Sequence, residues 1–532
     1  MKTKFIIVTG GVVSGIGKGT ASASIGKLLS RQFKVVPIKC DGYLNIDPGT
    51  MNPFEHGEVF VLDDGGEVDM DFGHYERFMD INCKFDWNLT SGKIFDSVIK
   101  KERKGDFLGS TVQIIPHITN EIKRKFLAIA KNEDADYILI EIGGTVGDIE
   151  NSWFVEAVRQ LKKEIGHENI MYIHLSYVPF LKSVGQQKTK PVQRDVEKLH
   201  EKGIFPDVII ARCEQPLTKE SKKKIALFCD VEEDAVISAR DIETIYEIPI
   251  MFEDEGLLGV IAKKFDFKPS KDLEIWRRLV DRIKDPAKEA KIAICGKYTA
   301  LQDSYASLVE ALIHAGAHNN ARVKIEFVET TDIELKKITA KEALKKYDGI
   351  IVPIGFGERG AEGKVESVRY ARENNIPFLG LCFGLQLAVV EYARNICKLE
   401  DANSTEVNPK TQHPVVAILP DQMHVKDMGG TMRLGLYEAH LAKGSIVAKL
   451  YGSTTCSERH RHRYEVNPDY HKELTEHGMV ISGTSENGRL AEFIELSDKK
   501  YFVATQAHPE YRSRLEKPSP LFAGFIAACL KK

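Results

Sequence analysis

Phe5-Ile6-Ile7-Val8-Thr9-Gly10-Gly11 is a short apolar run that ends in a glycine-rich turn, and a helix-period pattern follows it. Lys291-Ile292-Ala293-Ile294-Cys295-Gly296-Lys297 repeats this order in the second half of the chain. A buried strand, a glycine turn and a helix in succession are typical of the start of a parallel α/β domain. The sequence therefore predicts the α/β class, with two Rossmann-like domains that are each built on a parallel sheet.

Further apolar runs predict more buried strands in both halves of the chain. They lie at Val35–Ile38, Tyr137–Ile140, Met171–Leu175, Val208–Ala211, Lys324–Val328, Gly349–Val352, Phe378–Leu381 and Tyr501–Ala504. Between the halves, residues 268–290 are rich in charge, begin at Pro269-Ser270 and contain Pro286, which indicates a helical linker with breakers at both ends. We therefore expect one domain at residues 1–267, the linker at 268–290 and a second domain at 291–532.

The composition of the 532 residues excludes several classes of protein. Hydrophobic residues make up 43% and charged residues 28%, close to the averages for folded globular chains, so wholesale disorder is excluded. Lys and Arg number 74 against 77 Asp and Glu, and the net charge of −3 supplies no basic field that would attract nucleic acid or an anionic membrane. We therefore expect neither partner.

The cysteines and the apolar runs bear on the compartment. Nine Cys are widely spaced without a C-x-x-C pair, which argues against a zinc site or a disulfide framework and fits a reducing compartment. The apolar run Phe5–Val8 is too short for the core of a secretory signal, and no stretch of 18 apolar residues occurs. The sequence therefore predicts a cytoplasmic protein.

The turn after the first strand has the composition of a phosphate-binding loop. Residues Gly10–Thr20 read Gly-Gly-Val-Val-Ser-Gly-Ile-Gly-Lys-Gly-Thr. Backbone N–H groups at a helix amino terminus bind phosphate, and Lys18 adds a point charge. Strict P-loop spacing is not met, because Gly19 separates Lys18 from Thr20, so a plain glycine turn is the alternative. The strand–turn–helix context favours a nucleotide loop.

Two further segments are candidates for binding the rest of a nucleotide. Mg²⁺ that accompanies a triphosphate prefers one or two carboxylates, and Glu141 ends an apolar strand where such an acid is expected. Asp71 is a second candidate, although on spacing alone its acidic stretch favours a solvated loop. Pro191 biases Lys190 toward an extended conformation, in which Lys188 and Lys190 can converge on an anion. On spacing alone, a solvated basic loop is the favoured interpretation of that segment.

The second half carries a candidate nucleophile. Gly380-Leu381-Cys382-Phe383-Gly384 follows an apolar strand and precedes the helical pattern of Leu385–Tyr392, which is the nucleophile-elbow layout with sulfur in place of oxygen. His508-Pro509-Glu510 follows another strand, so Glu510 can orient His508 as a base for Cys382. A buried core cysteine with an unrelated surface histidine is the alternative.

Ordered motifs run through both halves of the chain. They are Gly10–Thr20, Tyr43–Pro53, His56–Val61, Gly73–Phe78, Glu141–Glu150, Lys188–Pro191, Gly355–Gly360, Arg461–Glu465 and His508–Glu510. On these motifs the chain resembles the CTP synthase family over essentially its whole length. The resemblance implies a P-loop-type amidoligase domain that phosphorylates O4 of UTP with ATP. It also implies a class I glutamine amidotransferase domain, whose ammonia displaces the phosphate at C4.

The resemblance also implies roles for individual residues. ATP would contact Gly15, Ile16, Gly17, Lys18, Gly19, Thr20, Asp71, Arg240, Asp241 and Ile242, with Mg²⁺ on Asp71 and Glu141. UTP, or CTP as feedback inhibitor, would contact Ser14, Asp148, Ile149, Glu150, Lys188, Thr189, Lys190, Pro191, Val192, Gln193 and Lys224. Glutamine would contact Gly355, Phe383, Gly384, Leu385, Gln386, Glu406 and Arg463, at a triad of Cys382, His508 and Glu510. The resemblance makes the Gly355 and Phe383 N–H groups oxyanion donors.

Other implied properties concern regulation, assembly and the route of ammonia. Arg359 resembles the residue linked to activation by GTP, and Pro53, His56 and Val59 resemble the lining of an internal ammonia passage. The resemblance implies a homotetramer and, besides Mg²⁺ with ATP, no organic prosthetic group. Two alternatives remain, a cobyrinic-acid-type amide synthetase and a catalytically silent nucleotide sensor or scaffold.

The chain departs from the family pattern at one position of the oxyanion loop. Where the family has Pro-Gly-Gly-Phe-Gly, this chain has Pro353-Ile354-Gly355-Phe356-Gly357. A β-branched residue does not readily adopt positive φ, so a strained or differently shaped loop is expected if that position requires it. We therefore expect glutamine-dependent activity of reduced efficiency, which Ile354→Gly would change. Gly42 replaces a usual Pro and Phe383 a common Leu, and both are expected to be tolerated.

Overall fold

The computed structural model describes residues 3–11, 13, 15–49, 51, 57–270, 273–297, 302–418 and 432–531. The strands are β1 Lys4–Gly10, β2 Val35–Asp41, β3 Phe60–Val61, β4 Glu67–Val68, β5 Asn88–Thr90, β6 Tyr137–Ile142, β7 Ile170–Val178, β8 Phe180–Leu181, β9 Gln186–Gln187, β10 Val208–Cys213, β11 Val236–Arg240, β12 Lys288–Gly296, β13 Ala321–Glu329, β14 Gly349–Val352, β15 Phe378–Leu381, β16 Ala402–Ser404, β17 His413–Ala417, β18 Arg433–Leu441, β19 Thr455–His462, β20 Glu465–Val466, β21 Val480–Ser485, β22 Ala491–Glu495 and β23 Phe502–Thr505.

Helices lie between many of these strands along the chain. They are α1 Lys18–Leu29, α2 Asp71–Met79, α3 Ser91–Lys104, α4 Thr119–Asn132, α5 Ser152–Ile165, α6 Lys190–Glu201, α7 Lys219–Cys229, α8 Ile248–Asp254, α9 Leu257–Phe265, α10 Glu274–Lys284, α11 Ala306–Asn319, α12 Thr330–Glu334, α13 Ala340–Leu344, α14 Ala361–Glu373, α15 Phe383–Asn395, α16 Ile446–Tyr451, α17 His471–Glu476 and α18 Pro520–Cys529. Across the described ranges, none of these helices has the length and apolar character needed to cross a membrane.

The contacts group the chain into two compact units. The first unit comprises residues 1–50 and 71–280, and the second comprises residues 51–70 and 281–532. Residues 51–70 thus group with the second half of the chain, although the sequence suggested one continuous first domain. Helix α10 lies within the charged segment expected to be a helical linker.

The first unit contains a seven-stranded parallel sheet in the order β11-β10-β7-β1-β6-β2-β5. Residues Phe5–Val8 of the central strand β1 are almost completely buried, as expected for a strand covered on both faces. Val8 of β1 pairs with Glu141 of β6, so Glu141 lies at the edge from which the glycine-rich loop leaves the sheet. Carboxyl ends of parallel strands at a change of strand order are where ligands bind in such sheets.

The second unit contains a nine-stranded sheet in the order β13-β12-β14-β15-β23-β22-β21-β18-β19. The strands from β13 to β23 are parallel, and the remaining neighbours pair antiparallel. Ile292 and Ile294 belong to one apolar core and Ala293 and Cys295 to another, because successive side chains of β12 point to opposite faces. The predicted α/β class with two parallel-sheet units is confirmed, and each predicted strand lies within or overlaps an observed one.

Strands β15 and β23 place the candidate triad. They are parallel neighbours, and Leu381 pairs with Thr505 at their carboxyl ends. Cys382 follows the first strand directly and His508 lies three residues beyond the second. Two residues far apart in sequence therefore meet at one edge of the sheet.

Candidate active sites

The glycine-rich loop of the first unit forms a helix amino terminus that opens onto a cavity. Gly17 caps α1 with φ 94°, a left-handed conformation that favours glycine. Gly15 also has positive φ, and a Cβ added there would meet nothing within 4 Å. The loop thus leaves open space beside free helix N–H groups, which suits an anion.

A cavity of about 520 Å³ lies at this loop. Its lining includes Gly15, Ile16, Gly17 and Thr20 from the loop and first helical turn, Asp241 and Ile242 after β11, and the apolar Ile210, Ala239 and Phe252. A glycine-rich end at a helix amino terminus and an apolar end suit a nucleotide, and the volume is that of a small-molecule site. Arg240 is not in the lining and forms an ion pair with Glu247 at 3.1 Å.

Lys18 lies in the first turn of α1 and is only 9% exposed. Its Nζ donates a hydrogen bond to the Gly144 carbonyl oxygen at 2.7 Å. Burial lowers the pKa of Lys18, while the nearby Glu141 carboxylate opposes that shift. The ammonium group therefore lies between the glycine loop and the loop after β6, with an acidic cluster close by.

Two carboxylates converge on a lysine that the sequence reasoning missed. Lys39 Nζ contacts Asp71 and lies 2.7 Å from Glu141 Oε1, and Asp41 Oδ1 is 4.0 Å away. Glu141 also accepts a hydrogen bond from the Tyr75 hydroxyl. Burial alone would lower the pKa of Lys39, but these carboxylates raise it well above its usual value. The signal in the sequence that could have identified Lys39 was a charged residue within the buried strand β2.

Asp71 and Glu141 fit the expected metal. Hard carboxylate oxygens beside a phosphate-binding loop are the donor set that Mg²⁺ prefers. A Cβ on Gly19 would lie 1.8 Å from Asp71 Oδ1, so glycine lets the first turn of α1 approach this carboxylate. Since the two acids share contacts with one ammonium group, they are close enough to serve one cation.

The predicted pyrimidine-nucleotide residues fall in three places. Asp148, Ile149 and Glu150 lie in the loop after β6, where Asp148 accepts a hydrogen bond from the Thr145 N–H at 2.8 Å and Ile149 is 78% exposed. A Cβ on Gly42 would lie 2.7 Å from the Glu150 carbonyl oxygen. The glycine that replaces the family's usual proline therefore lies close to the backbone of Glu150. Ser14 lies outside the described residues.

The Lys188–Gln193 segment differs from the expected extended conformation. Lys190 is the first residue of α6, Thr189 has helical φ and ψ, and Pro191 occupies the first turn, where proline is tolerated. The prediction of an extended Lys190 is therefore wrong. The helix begins at Lys190 instead, and its first turn accommodates Pro191. Val192 is fully buried, whereas Lys224 on α7 pairs with Glu220 at 2.7 Å.

In the second unit, Cys382 lies on a strained turn between β15 and α15. Its φ of 53° and ψ of −102° are unusual for a residue with a side chain, as expected for a nucleophile elbow. The Cys382 N–H donates to the Thr505 carbonyl oxygen at 2.7 Å. Its Sγ lies 3.7 Å from Gln506 Nε2 and 3.9 Å from the Arg461 carbonyl oxygen.

His508 and Glu510 form a buried pair beside this sulfur. His508 Nδ1 lies 2.7 Å from Glu510 Oε1, and both side chains are buried. Burial alone would lower the pKa of His508, but Glu510 and Cys382 raise it to about 10. The carboxylate therefore orients the imidazole and stabilises its charged form, as a general base requires.

A cavity of about 280 Å³ adjoins the triad. It is lined by Ile354, Gly355, Phe356, Cys382, Phe383, Gln386, Glu406, Met432, Arg461, His462, Arg463 and Tyr464. Five of the residues predicted to bind glutamine line this cavity, whereas Gly384 and Leu385 are buried in the first turn of α15 and do not line it. Sequence reasoning missed Arg461, His462 and Tyr464 as lining residues, although they flank Arg463.

The charged groups of this cavity have distinct surroundings. Glu406 accepts a hydrogen bond from the Gly357 N–H at 2.9 Å. Burial raises the pKa of Glu406, whereas that hydrogen bond and the nearby Lys297 and Arg463 oppose the shift. A carboxylate and a guanidinium group in one small cavity match the amino and carboxylate groups of an amino acid.

The loop before α14 does not show the strain expected at Ile354. Among the described residues, positive φ in this loop occurs at Gly357 and Gly360, and Ile354 is not such a residue. The side chain of Ile354 packs against the apolar core that contains Ile292 and Ile294. The condition for strain, positive φ at Ile354, is therefore not met, because the backbone does not turn left-handed there. Arg359 is exposed in the same loop.

Comparisons with known proteins match both units. The family model for the CTP synthase N-terminus matches residues 4–267, and that for class-I glutamine amidotransferases matches residues 300–528. The CTP synthase of Methanococcus maripaludis is 55% identical over 99% of this chain and 100% of its own. That of Methanocaldococcus jannaschii is 54% identical over 99% of this chain and 98% of its own. The glutaminase domain of Trypanosoma brucei CTPS with bound acivicin is 38% identical, covering 46% of this chain and 94% of that chain with a TM-score of 0.43.

Proposed function

Since this chain belongs to the CTP synthase family, we propose that its two sites divide the glutamine-dependent amination of UTP to CTP between them. The first unit would carry the ATP-dependent ligase step and the second would release ammonia from glutamine. Membership of the family leaves no separate support for a cobyrinic-acid-type amide synthetase.

The ligase site would bind ATP by its glycine-rich loop. Gly15–Thr20 would hold the phosphates, with Lys18 nearest the group transferred to O4 of UTP and Arg240–Ile242 by the adenine. Asp71 and Glu141 would hold Mg²⁺, which when bound supplies positive charge for the phosphates. The apolar cavity wall and the convergence of both acids on Lys39 support this assignment.

The pyrimidine nucleotide would be bound by residues from three other segments. We propose UTP contacts for Ser14, Lys188–Gln193 and Lys224, and contacts to inhibitory CTP for Asp148–Glu150. The exposure of Ile149 and the exposed ammonium groups of Lys188 and Lys224 support this assignment. The complete burial of Val192 limits it to a role in packing, or to a backbone contact.

One observation carries the proposed function. It is the buried His508–Glu510 pair beside the Cys382 elbow of the glutaminase site. Cys382 Sγ would attack the side-chain amide carbon of glutamine as a thiolate, with its proton held by His508, whose pKa is raised to about 10. N–H groups of Gly355 and Phe383 would bind the resulting oxyanion. His508 would return the proton to the departing ammonia, and water would then hydrolyse the thioester to glutamate.

Ammonia must reach the ligase site without being protonated, because ammonium ion is no nucleophile. We propose that Pro53, His56 and Val59 line its route. Pro53 and His56 lie outside the described residues, whereas the Val59 carbonyl oxygen accepts a hydrogen bond from Tyr511 at 3.3 Å. The Tyr511 ring stacks on His508 at 5.2 Å, which supports a route that starts at the triad.

Regulation, assembly and location are also proposed. Arg359 would take part in activation by GTP, and CTP would inhibit. Exposed apolar side chains such as Ile99, Leu108 and Ile115 support self-association, for which we propose a homotetramer. All nine cysteines are unpaired, which supports a reducing, cytoplasmic location.

The test compares two nitrogen sources. The purified chain is incubated with UTP, ATP and Mg²⁺, and CTP is measured with glutamine plus GTP or with ammonium chloride. We expect CTP in both arms. Cys382→Ala should abolish only the glutamine arm, and Cys397→Ala, at another buried cysteine, should change neither.

The failures have separate meanings. CTP from ammonium alone in the parent protein would contradict the glutaminase assignment. CTP in neither arm would contradict the proposed function and favour the silent sensor or scaffold.

A further inference from the structure

Lys364 is a buried lysine that the known chemistry of the site does not use. It lies in the first turn of α14, and only 1% of it is exposed. Across the described part of the chain no carboxylate forms an ion pair with it, and its one hydrogen bond goes to the Pro353 carbonyl oxygen at 3.3 Å. A buried charge without a partner is costly, so such a residue needs a reason.

The ammonium group lies directly behind the two proposed oxyanion donors. A Cβ on Gly355 would lie 2.6 Å from Lys364 Nζ, so only glycine allows this approach. The Phe383 ring centroid lies 5.1 Å from the same Nζ, within reach of a cation–π interaction. Through the Pro353 carbonyl and this ring, Lys364 contacts the loop that presents one N–H and the residue that presents the other.

The surrounding charges leave this cation uncompensated. Burial, and then Lys297, lower the pKa of Lys364 to about 7, and only Cys295, Cys382 and Glu329 act in the opposite direction. Of these, Glu329 is a carboxylate, and the Cys382 sulfur carries negative charge as the attacking thiolate. The tetrahedral oxyanion is the second negative charge that arises nearby, and fields are strong where water is excluded.

We propose that Lys364 is a positioning residue of the glutaminase site, whose ammonium group fixes the Pro353–Gly355 turn and supplies buried positive charge behind the oxyanion. This inference rests on the proposed function, because Gly355 and Phe383 are assigned as donors there. Lys364 does not touch glutamine. It acts through the two backbone N–H groups, so it affects the rate of the chemical step more than substrate affinity.

The test separates charge from packing. Lys364→Met removes the charge and keeps the length, and Lys364→Gln removes the charge but keeps an N–H donor. Arg369→Met removes one exposed positive charge from the same helix and is the matched control. For each protein, kcat and KM are measured for glutamine below pH 7, where the Lys364 ammonium group is charged, together with CTP formation from ammonium chloride.

We expect both Lys364 variants to lower kcat for glutamine by about 10-fold, less than the roughly 100- to 1,000-fold loss of a direct oxyanion donor. KM for glutamine and the ammonium arm should stay within about 2-fold, and Arg369→Met should match the parent protein. Retention of full kcat by Lys364→Met would overturn the proposal.

Other outcomes also decide the question. Full activity of Lys364→Gln alone would show that a hydrogen bond suffices and would refute the role of charge. An equal loss in the ammonium arm would indicate general damage and count against the inference. If the parent protein uses ammonium but not glutamine, the glutaminase assignment fails first and this inference fails with it.

Discussion

Lys39 in the first unit and Lys364 in the second are buried to nearly the same extent, but their surroundings differ in charge. Lys39 contacts Asp71 and Glu141, and its pKa is raised well above the usual value. Lys364 has no carboxylate partner within the described ranges, and burial lowers its pKa to about 7. The negative charges beside Lys39 are permanent carboxylates, whereas the oxyanion that Lys364 would face arises only during the reaction. The surroundings of each lysine therefore suit the negative charge present at its site.

The largest expected effect separates the two sites. Glu141→Gln should lower CTP formation in both the glutamine and ammonium arms by at least about 100-fold, because a proposed Mg²⁺ ligand is lost. Release of glutamate from glutamine should continue. Glu133→Gln, which removes a carboxylate paired with the exposed Lys84, should leave both arms unchanged. A loss confined to the glutamine arm would contradict the assignment of Glu141.

Replacing Lys39 and replacing Lys364 should change the free energy of unfolding in opposite directions. Lys39→Met should lower the free energy of unfolding of its unit by about 3 kcal/mol, because Asp71 and Glu141 lose their shared cation. Lys364→Met should raise it by about 1 kcal/mol, since an unpaired buried charge is removed. Calorimetry that resolves the two units measures both. Shifts of the same sign would break the comparison.

Raising the pH should reduce the benefit of Lys364→Met. Below pH 7 the lysine is protonated in both the folded and the unfolded chain, so the parent protein bears the full burial cost. Between pH 7 and the usual lysine pKa of 10.5, the folded lysine is neutral while the unfolded one is still charged. The difference in Tm between variant and parent should therefore shrink over that range.

His508 provides the opposite case for this measurement. Its folded pKa of about 10 lies above the usual 6.5, so its stabilisation is complete below pH 6.5 and is lost as pH rises through 10. His508→Gln should therefore differ most from the parent at low pH, and there it should be less stable. A Tm difference that does not vary with pH in either variant would contradict the pKa directions.

The smallest effect is expected at Ile354. Its backbone does not have positive φ, and its side chain packs against the apolar core. Ile354→Gly should therefore not raise kcat for glutamine, and it should cost about 1 kcal/mol of stability through lost packing and added backbone freedom. A several-fold rise in kcat would revive the explanation by loop strain.

Local patterns were sufficient for much of the molecule. Apolar runs predicted the strands, the glycine-rich turn predicted the helix that follows it, and the G-x-C-x-G turn predicted the Cys382 elbow. Neighbouring residues could not predict that a helix begins at Lys190, directly before a proline. They could not predict the ordinary φ of Ile354 either. Both depend on the path that the backbone takes through the folded unit.

The sequence by itself determined the α/β class, the family and the types of chemistry, because strands, glycine turns and a nucleophile elbow are properties of contiguous residues. Only the tertiary structure decided which charges meet. Lys39 pairs with Asp71 and Glu141 across 32 and 102 positions, and Lys364 lies behind Gly355 because α14 packs against the loop that precedes it. A long side chain has many rotamers, so the packing around it decides which groups it contacts. That packing depends on the whole unit rather than on any one segment.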